Sequence, residues 1–333
     1  MAQNCDHGGD PDAARHRFGG AAEDWLDLST GINPVAYPVP PLPPRAFTAL
    51  PTRSDMARLR AAAAECYGTR AHVTPLAGAQ AAIQAVPHLV PKGVARVLVP
   101  TYNEHAAALR AGGWRVEEAT TPDALAGADC AVVVTPNNPD GARHDPARLI
   151  ALARQVGLLV VDESFADPVP EVSLAPTLHK APGNILVLRS FGKFYGLAGL
   201  RLGFVLSSGD MAARLNDMAG PWPVSGPAIE VACAALADRD WQAATTARLA
   251  RDAARLDALA TRAGWSLVGG TPLFRTYATP DATAAQDHLA QHHIWSRIFP
   301  YSRTWLRLGL AGAPGDWDRL AAALDHSARS SHA

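Results

Sequence analysis

Residues 185–206 read ILVLRSFGKFYGLAGLRLGFVL, and this stretch decides the fold. Residues 185–188 and 202–206 are predicted to be buried strands, because strands that are covered on both faces are apolar throughout rather than alternating. Ser190 and Lys193 lie between them, before an apolar, glycine-rich segment. A lone loop lysine is usually a solvated charge. Here the apolar setting favours a desolvated amine, which can form a Schiff base.

The same alternation of apolar strands and helical patterns extends along most of the chain. Strands are predicted at residues 96–99, 114–118, 130–134 and 158–161, and helices at residues 56–67, 104–111 and 146–156. Such a pattern predicts an α/β fold with a mostly parallel sheet between helices. After residue 223 the pattern is α+β: helices are predicted at residues 228–236, 241–263 and 316–324, and strands at residues 265–268, 273–278, 294–299 and 305–308.

Three regions follow from this change of pattern. We expect an N-terminal arm or small-domain segment at residues 1–50, a large domain at residues 51–223 and a smaller C-terminal domain at residues 224–333. The first region is expected to be irregular, and residues 33–51 are too rich in proline for a helix or a central strand. An ordered arm and a linker both remain open.

Composition excludes several classes of partner. The formal net charge of the 333-residue chain is -1, and its lysines and arginines are scattered, which argues against nucleic acid and anionic membranes. The chain starts without a signal-peptide pattern, and no apolar run is long enough to span a bilayer. The 4 cysteines form no CxxC pair, so free thiols in a reducing compartment are expected. We therefore expect a cytoplasmic protein.

Polar groups follow several of the predicted strands, where ligands bind in open α/β sheets. Asn138 lies in a TPNNPDG segment at residues 135–141, which is also an ordinary turn composition. Asp162 follows the strand at residues 158–161 and could be only a helix N-cap, or could pair with a protonated ring nitrogen. Gly78 and Ala79 open a helix, whose N-terminus favours an anion such as phosphate.

The order of these segments carries a family resemblance. The chain resembles the fold-type-I enzymes that use pyridoxal 5′-phosphate (PLP), in the branch of the histidinol-phosphate aminotransferases. Within that branch it is most similar to the threonine-phosphate decarboxylases of cobalamin biosynthesis. HGG at residues 7–9 and DLSTGINP at residues 27–34 point to the decarboxylases.

The resemblance assigns roles to individual residues and implies PLP as the cofactor, with no metal. Lys193 would form the Schiff base, Asp162 would pair with the pyridinium nitrogen and Tyr102 would stack on the ring. The cofactor-binding residues would be Gly78, Ala79, Tyr102, Asn138, Asp162, Ser190, Lys193 and Arg201. The substrate-binding residues would be His7, Ile32, Asn138, Arg297 and Arg307.

Two residues depart from the aminotransferase pattern. Phe165 stands where the aminotransferases have a tyrosine that bonds the cofactor's phenolic oxygen, which fits the decarboxylases better. Leu50 stands where a tyrosine usually reaches the cofactor phosphate of the neighbouring subunit, so that one contact between subunits is in doubt.

The resemblance implies a homodimer that releases CO2 from L-threonine O-3-phosphate and forms (R)-1-aminopropan-2-yl phosphate. The alternative is a histidinol-phosphate-type aminotransferase. A non-catalytic protein of the same fold, such as the sensor half of a regulator, is a rival of another class. It is disfavoured because only a short arm precedes the large domain.

Overall fold

The computed structural model describes residues 7–330, with side chains through residue 325. Within these residues no helix is both long enough and apolar enough to cross a membrane. The chain divides into two compact units. We call Ala36–Asn138 with Ala142–Gln242 the sheet unit. We call the chain up to Val35, the segment Pro139–Gly141 and the chain from Ala243 onward the terminal unit.

Thirteen strands and twelve α-helices form in the described part of the chain. The strands are β1 Leu26–Asp27, β2 His72–Leu76, β3 Val94–Leu98, β4 Arg115–Ala119, β5 Cys130–Val134, β6 Leu158–Asp162, β7 Ile185–Ser190, β8 Gly203–Ser207, β9 Ser266–Thr271, β10 Phe274–Ala278, β11 Ile294–Trp295, β12 Arg297–Phe299 and β13 Ser302–Gly309. The helices are α1 Pro11–Phe18, α2 Arg45–Thr48, α3 Arg53–Cys66, α4 Ala79–Ala85, α5 Glu104–Ala111, α6 Pro146–Ala153, α7 Phe191–Phe194, α8 Gly209–Ala219, α9 Gly226–Ala237, α10 Arg239–Arg262, α11 Ala282–Gln291 and α12 Pro314–Ser330.

The sheet unit is built on a seven-stranded sheet in the order β2-β8-β7-β6-β5-β3-β4. Strand β8 runs antiparallel to both of its neighbours, and all other pairs are parallel. The predicted α/β fold with a mostly parallel seven-stranded sheet is confirmed.

The central strands explain why the apolar runs were continuous. Every residue of β5 and β6 is buried, as are the apolar residues of β7. Because both faces of these strands are covered, polar residues are confined to the strand ends. At the carboxyl edge of the sheet, Asp162 is therefore the last residue of β6, Asn138 follows β5, and Lys193 lies in helix α7 directly after β7.

The terminal unit contains a four-stranded antiparallel sheet in the order β12-β13-β10-β9 and a two-stranded parallel pair of β1 with β11. Its buried side chains come from both faces of the sheet and from α10, α11 and α12; they include Phe274, Tyr277, Leu289, Leu306, Leu308 and Leu320.

The prediction of an irregular N-terminal region was wrong at helices α1 and α2 and at strand β1. Helix α1 begins after Asp10, whose side chain accepts a hydrogen bond from the Asp12 backbone, and Pro11 occupies its first position. Both signals were present in the sequence. In the proline-rich stretch, α2 forms a single turn directly after Pro44, where a missing backbone N–H costs nothing.

Other elements were missed or merged. Strand β2 contains Pro75 and was not predicted, but it lies at the sheet edge, where proline is tolerated. Helices α8 and α11 were also missed. The single strand expected at residues 294–299 is two strands, because β11 pairs with β1 whereas β12 pairs with β13.

The division into three domains stays a prediction. Helix α9, which that division put at the start of the C-terminal domain, lies in the sheet unit, and so does most of the proline-rich stretch. Cys66, Cys130 and Cys233 are free thiols, and Cys5 lies outside the described residues.

Candidate active site

One pocket of the sheet unit collects polar residues from separate loops of the sheet. It is lined by all eight predicted cofactor-binding residues: Gly78, Ala79, Tyr102, Asn138, Asp162, Ser190, Lys193 and Arg201. Gln80, Ser164, Phe165 and Leu202 also line it. An amine, a carboxylate, a guanidinium, an amide and a phenol ring thus share one pocket.

Lys193 is held by a single turn of helix, α7, that follows β7 directly. Gly192 lets this turn pack closely, because a Cβ atom there would lie 2.7 Å from the Cα atom of Ala198. The Lys193 Nζ atom lies 5.5 Å from the centre of the buried Phe165 ring. The amine therefore lies beside an aromatic ring, and both residues line the pocket.

Asp162 is buried at the end of β6 with two hydrogen-bond donors. The His105 Nε2 atom donates to Oδ2 at 2.8 Å, and the Ser164 backbone donates to Oδ1 at 2.9 Å. Burial alone would raise the pKa of Asp162, but the hydrogen bonds from His105 and Ser164 outweigh it and hold the pKa below its usual value. Asp162 is therefore an ionised carboxylate at neutral pH and can stabilise a positive charge in the pocket.

Arg201 lies beside the start of α4. A Cβ atom on Gly78 would lie 2.8 Å from its Nη2 atom, so glycine leaves the room that the guanidinium occupies. Arg201 itself has the left-handed conformation, with φ 54°, and its Nη1 atom donates to the Ala198 carbonyl at 3.1 Å. The Arg201 guanidinium, the Ser190 hydroxyl and the backbone at the start of α4 line the same end of the pocket. They provide the hydrogen-bond donors and the positive charge that a phosphate group requires.

Tyr102 is positioned by a short side-chain network. Its hydroxyl donates to Gln80 Oε1 at 3.4 Å, and Gln80 Nε2 donates to Glu104 at 2.6 Å. The ring also meets His105 edge-on, with centroids 6.2 Å apart. The phenol ring is therefore fixed on two sides, as a stacking platform requires.

The two adjacent asparagines have different surroundings. Asn137 is buried, accepts a hydrogen bond from the Thr101 hydroxyl at 2.7 Å and donates to the Pro100 carbonyl at 2.8 Å. Asn138 lines the pocket. The segment is thus both a structural turn and part of the candidate site, and the two functions fall to neighbouring residues.

Sequence reasoning missed two residues that support the site. His105 was predicted only as part of a helix, yet it is the buried partner of Asp162. Gln80 was not predicted to be a site residue, yet it lines the pocket and contacts Tyr102. His105 lies in the first turn of α5, and no local sequence pattern predicts its contact with Asp162, which is 57 positions further along the chain.

A buried charge cluster lies next to these loops in the sequence. Arg189 precedes Ser190, and its guanidinium donates to Glu163 at 2.8 Å and to Asp167. It also lies over the Tyr67 ring, 4.4 Å from the centroid. Burial raises the pKa of both carboxyl groups, and Arg189 opposes that rise. Arg189 thus links the segment that carries Asp162 to the strand that carries Ser190.

Replacing Arg189 with leucine is expected to lower the free energy of unfolding by about 3–5 kcal/mol, because two buried carboxylates lose their counter-ion. Urea denaturation followed by circular dichroism measures the change. The matched control is Arg143→Leu, which breaks an exposed pair with Glu171 and should cost less than about 1 kcal/mol. Equal losses in the two variants would contradict this account of the cluster.

The predicted substrate-binding residues other than Asn138 belong to the terminal unit. Arg307 is 6% exposed on β13 and pairs in register with Arg297 on β12, so two guanidinium groups are cross-strand neighbours. Ile32 is half-buried and His7 is exposed. Arg307 is buried and Arg297 is half-buried, so two positive charges lie side by side and are suited to an anionic group.

The match to a family model decides the family. The model for aminotransferase class I and II matches residues 45–324. The chain belongs to the aminotransferase class I and II family. The matched range includes all eight pocket residues that the sequence predicted.

Individual relatives are similar to the chain over most or nearly all of its length. A threonine-phosphate decarboxylase of Sinorhizobium sp is 45% identical over 96% of this chain and 97% of its own length. A histidinol-phosphate aminotransferase of Mycobacterium bovis is 34% identical over 73% of this chain and 70% of its own length. The solved histidinol-phosphate aminotransferase of Sinorhizobium meliloti, in complex with pyridoxal-5′-phosphate, has a TM-score of 0.82, 22% identity and coverage of 96% of this chain and 95% of that one.

Proposed function

We propose that this chain is a PLP-dependent decarboxylase that converts L-threonine O-3-phosphate into (R)-1-aminopropan-2-yl phosphate and CO2. The observation that carries the proposal is the single pocket in which Lys193, Asp162, Tyr102 and Arg201 meet. The 45% identity to a threonine-phosphate decarboxylase supports the choice of reaction over the more distant aminotransferase relatives.

The pocket residues fit PLP group by group. Arg201, Ser190 and the backbone at Gly78 and Ala79 would bind the phosphate. Lys193 would attach the aldehyde, and Tyr102 would cover the ring. Asp162 would pair with the ring nitrogen, and Asn138 would hydrogen-bond the phenolic oxygen. The glycine at position 78, where a side chain would collide with Arg201, is what this arrangement requires.

When bound, PLP supplies an electron sink for the bond that breaks at the α-carbon of the amino acid. The ionised Asp162 would stabilise the positive charge of the cofactor's protonated ring nitrogen. The hydrogen bond from His105 keeps the Asp162 carboxylate in place. The substrate's carboxylate leaves as CO2 and a proton takes its place on the same carbon. Lys193 Nζ is the group we assign to deliver that proton, directly or through a water.

Arg307, with Arg297 and His7 as further candidates and Ile32 as an apolar contact, would bind the anionic end of the substrate. Phe165 places an apolar ring beside Lys193 where the aminotransferases have a tyrosine hydroxyl. This difference favours decarboxylation over transamination. We further propose a homodimer that works in the cytoplasm. Phe47, Leu50 and Trp222 are exposed apolar residues on one groove of the sheet unit and suit a partner surface.

The test is incubation of the purified holoenzyme with L-threonine O-3-phosphate. We expect stoichiometric CO2 and (R)-1-aminopropan-2-yl phosphate without any added 2-oxo acid, because decarboxylation needs no amino acceptor. Trapped CO2 and phosphorus NMR of the product measure this. A reaction that requires 2-oxoglutarate, with histidinol phosphate as the better substrate, would support transamination instead.

A further inference from the structure

The two motifs that pointed to the decarboxylases, residues 7–9 and 27–34, pack against each other in the terminal unit. The Gly9 backbone donates to Ser29 Oγ at 2.7 Å. Ser29 is fully buried, and both its backbone N–H and its hydroxyl donate to Asp27 Oδ1, at 2.8 and 2.5 Å. Ser29 is therefore held on one side by Asp27 and on the other by the glycine segment.

Gly8 closes this contact because it has no side chain. A Cβ atom on Gly8 would lie 2.3 Å from the Ser29 carbonyl oxygen and 2.9 Å from its carbonyl carbon. These are backbone atoms, so a methyl group at position 8 could be accommodated only if the chain at Ser29 moved. At Gly9 the backbone has φ 87°, which also favours glycine.

The same Ser29 carbonyl is a hydrogen-bond acceptor for Arg307. The Arg307 Nη2 atom donates to it at 2.5 Å, and the guanidinium carbon lies 5.1 Å from the centre of the Phe274 ring. Because a guanidinium is planar and rigid, a hydrogen bond at one nitrogen, together with a ring against its face, fixes the plane of the whole group. Gly309 brings the two segments close, since a Cβ there would lie 2.3 Å from the Thr30 carbonyl oxygen.

We infer that Gly8 and Ser29 are positioning residues that set the orientation of Arg307 towards the anionic group of the substrate, an inference that rests on the proposed function. The contact runs from Gly8 to the Ser29 carbonyl and from there to the guanidinium. The HGG segment thus determines affinity for a phosphorylated amino acid without contacting the reacting carbon. A displacement of about 1 Å at such a group is enough to cost substantial affinity or rate.

The experiment compares steady-state kinetics of the holoenzyme and its Gly8→Ala variant on L-threonine O-3-phosphate. We expect KM, and the inhibition constant of inorganic phosphate, to rise about 10-fold, with kcat changed less than about 3-fold. The visible absorption of the bound cofactor should not change. The control is Gly315→Ala, because no atom lies within 4 Å of a Cβ atom at that position. Its KM should equal that of the unmodified enzyme.

Ser29→Ala provides a second variant in case Gly8→Ala does not fold. It removes the acceptor for Gly9 and the donor to Asp27 but keeps the carbonyl that binds Arg307. We expect a smaller rise in KM, about 3-fold, with kcat unchanged. Parallel losses of kcat, cofactor content and thermal midpoint in both variants would show a general structural role and overturn the inference.

Arg307→Lys separates this inference from the proposed function. If Arg307→Lys raises KM while Gly8→Ala and Ser29→Ala do not, the positioning role is wrong and the proposed function stands. If Arg307→Lys leaves KM unchanged, Arg307 does not bind the substrate, and the inference falls with that assignment. The proposed function is tested separately, by whether the unmodified enzyme decarboxylates L-threonine O-3-phosphate, so neither result for the variants bears on it.

Discussion

Replacement of Lys193 by alanine is expected to reduce decarboxylation at least about 10³-fold, because it removes the amine that we propose as both the attachment point of the cofactor and the proton donor. The pocket that surrounds the amine should survive, since the close packing of Gly192 against Ala198 does not involve it. Product formation by phosphorus NMR gives the rate. Borohydride reduction followed by peptide mass spectrometry gives the site of attachment.

The matched control is Lys180→Ala, which removes an exposed lysine. We expect its rate to be normal and its pyridoxyl adduct to be found on Lys193. An adduct on any other residue, or full activity in the Lys193→Ala variant, would refute the assignment of Lys193 and the roles of its neighbours with it.

Replacement of Asp162 by asparagine is expected to lower kcat by about 10²–10⁴-fold. We propose that Asp162 pairs with the protonated ring nitrogen of the cofactor, and loss of one partner from a buried charge pair costs about 3–5 kcal/mol. If the whole loss raises the activation free energy, it corresponds to that range of rates. The asparagine oxygen can still accept from Ser164 or His105, so the fold should hold. Stopped-flow or steady-state rates, with thermal unfolding in parallel, measure both quantities.

Asp145→Asn is the control for this charge change. Asp145 caps helix α6 by accepting a hydrogen bond from Ala147, and asparagine caps a helix equally well. Its activity should be unchanged. If Asp162→Asn remained as active as Asp145→Asn, the carboxylate would have no part in stabilising charge in the pocket.

The fold and the positions of Asn138, Asp162 and Lys193 could be predicted from the sequence pattern for a common physical reason, whereas Tyr102 and the substrate-binding residues were expected only from the family resemblance. Strands β5, β6 and β7 are covered on both faces, so each is a continuous apolar run, and the first polar residues after them mark the carboxyl edge of the sheet. The edge strand β2 gave no such signal because it contains Pro75. Helices α8 and α11 were not predicted. Neither helix contributes a residue to the pocket, so these omissions did not affect the predicted site.

Contacts between side chains that are distant in sequence could not be predicted. His105 and Asp162 are 57 positions apart and Arg307 and the Ser29 carbonyl are 278 apart, so no local pattern predicts either pair. The split of the strand expected at residues 294–299 has the same origin, because the pairing of β11 with β1 depends on a partner from the other end of the chain. Local periodicity predicts elements, whereas these pairs depend on the tertiary fold.

The left-handed backbone of Arg201 lowers the stability of the fold at a position whose side chain we propose to be needed for activity. A side chain other than glycine in that conformation costs about 1–2 kcal/mol, and Arg201→Gly would remove the cost together with the guanidinium beside Gly78. We propose that this guanidinium binds the cofactor phosphate. Directed evolution for heat resistance alone should therefore enrich glycine at this position and yield stable proteins with little affinity for the cofactor. Selection schemes for this scaffold need a catalytic readout in every round.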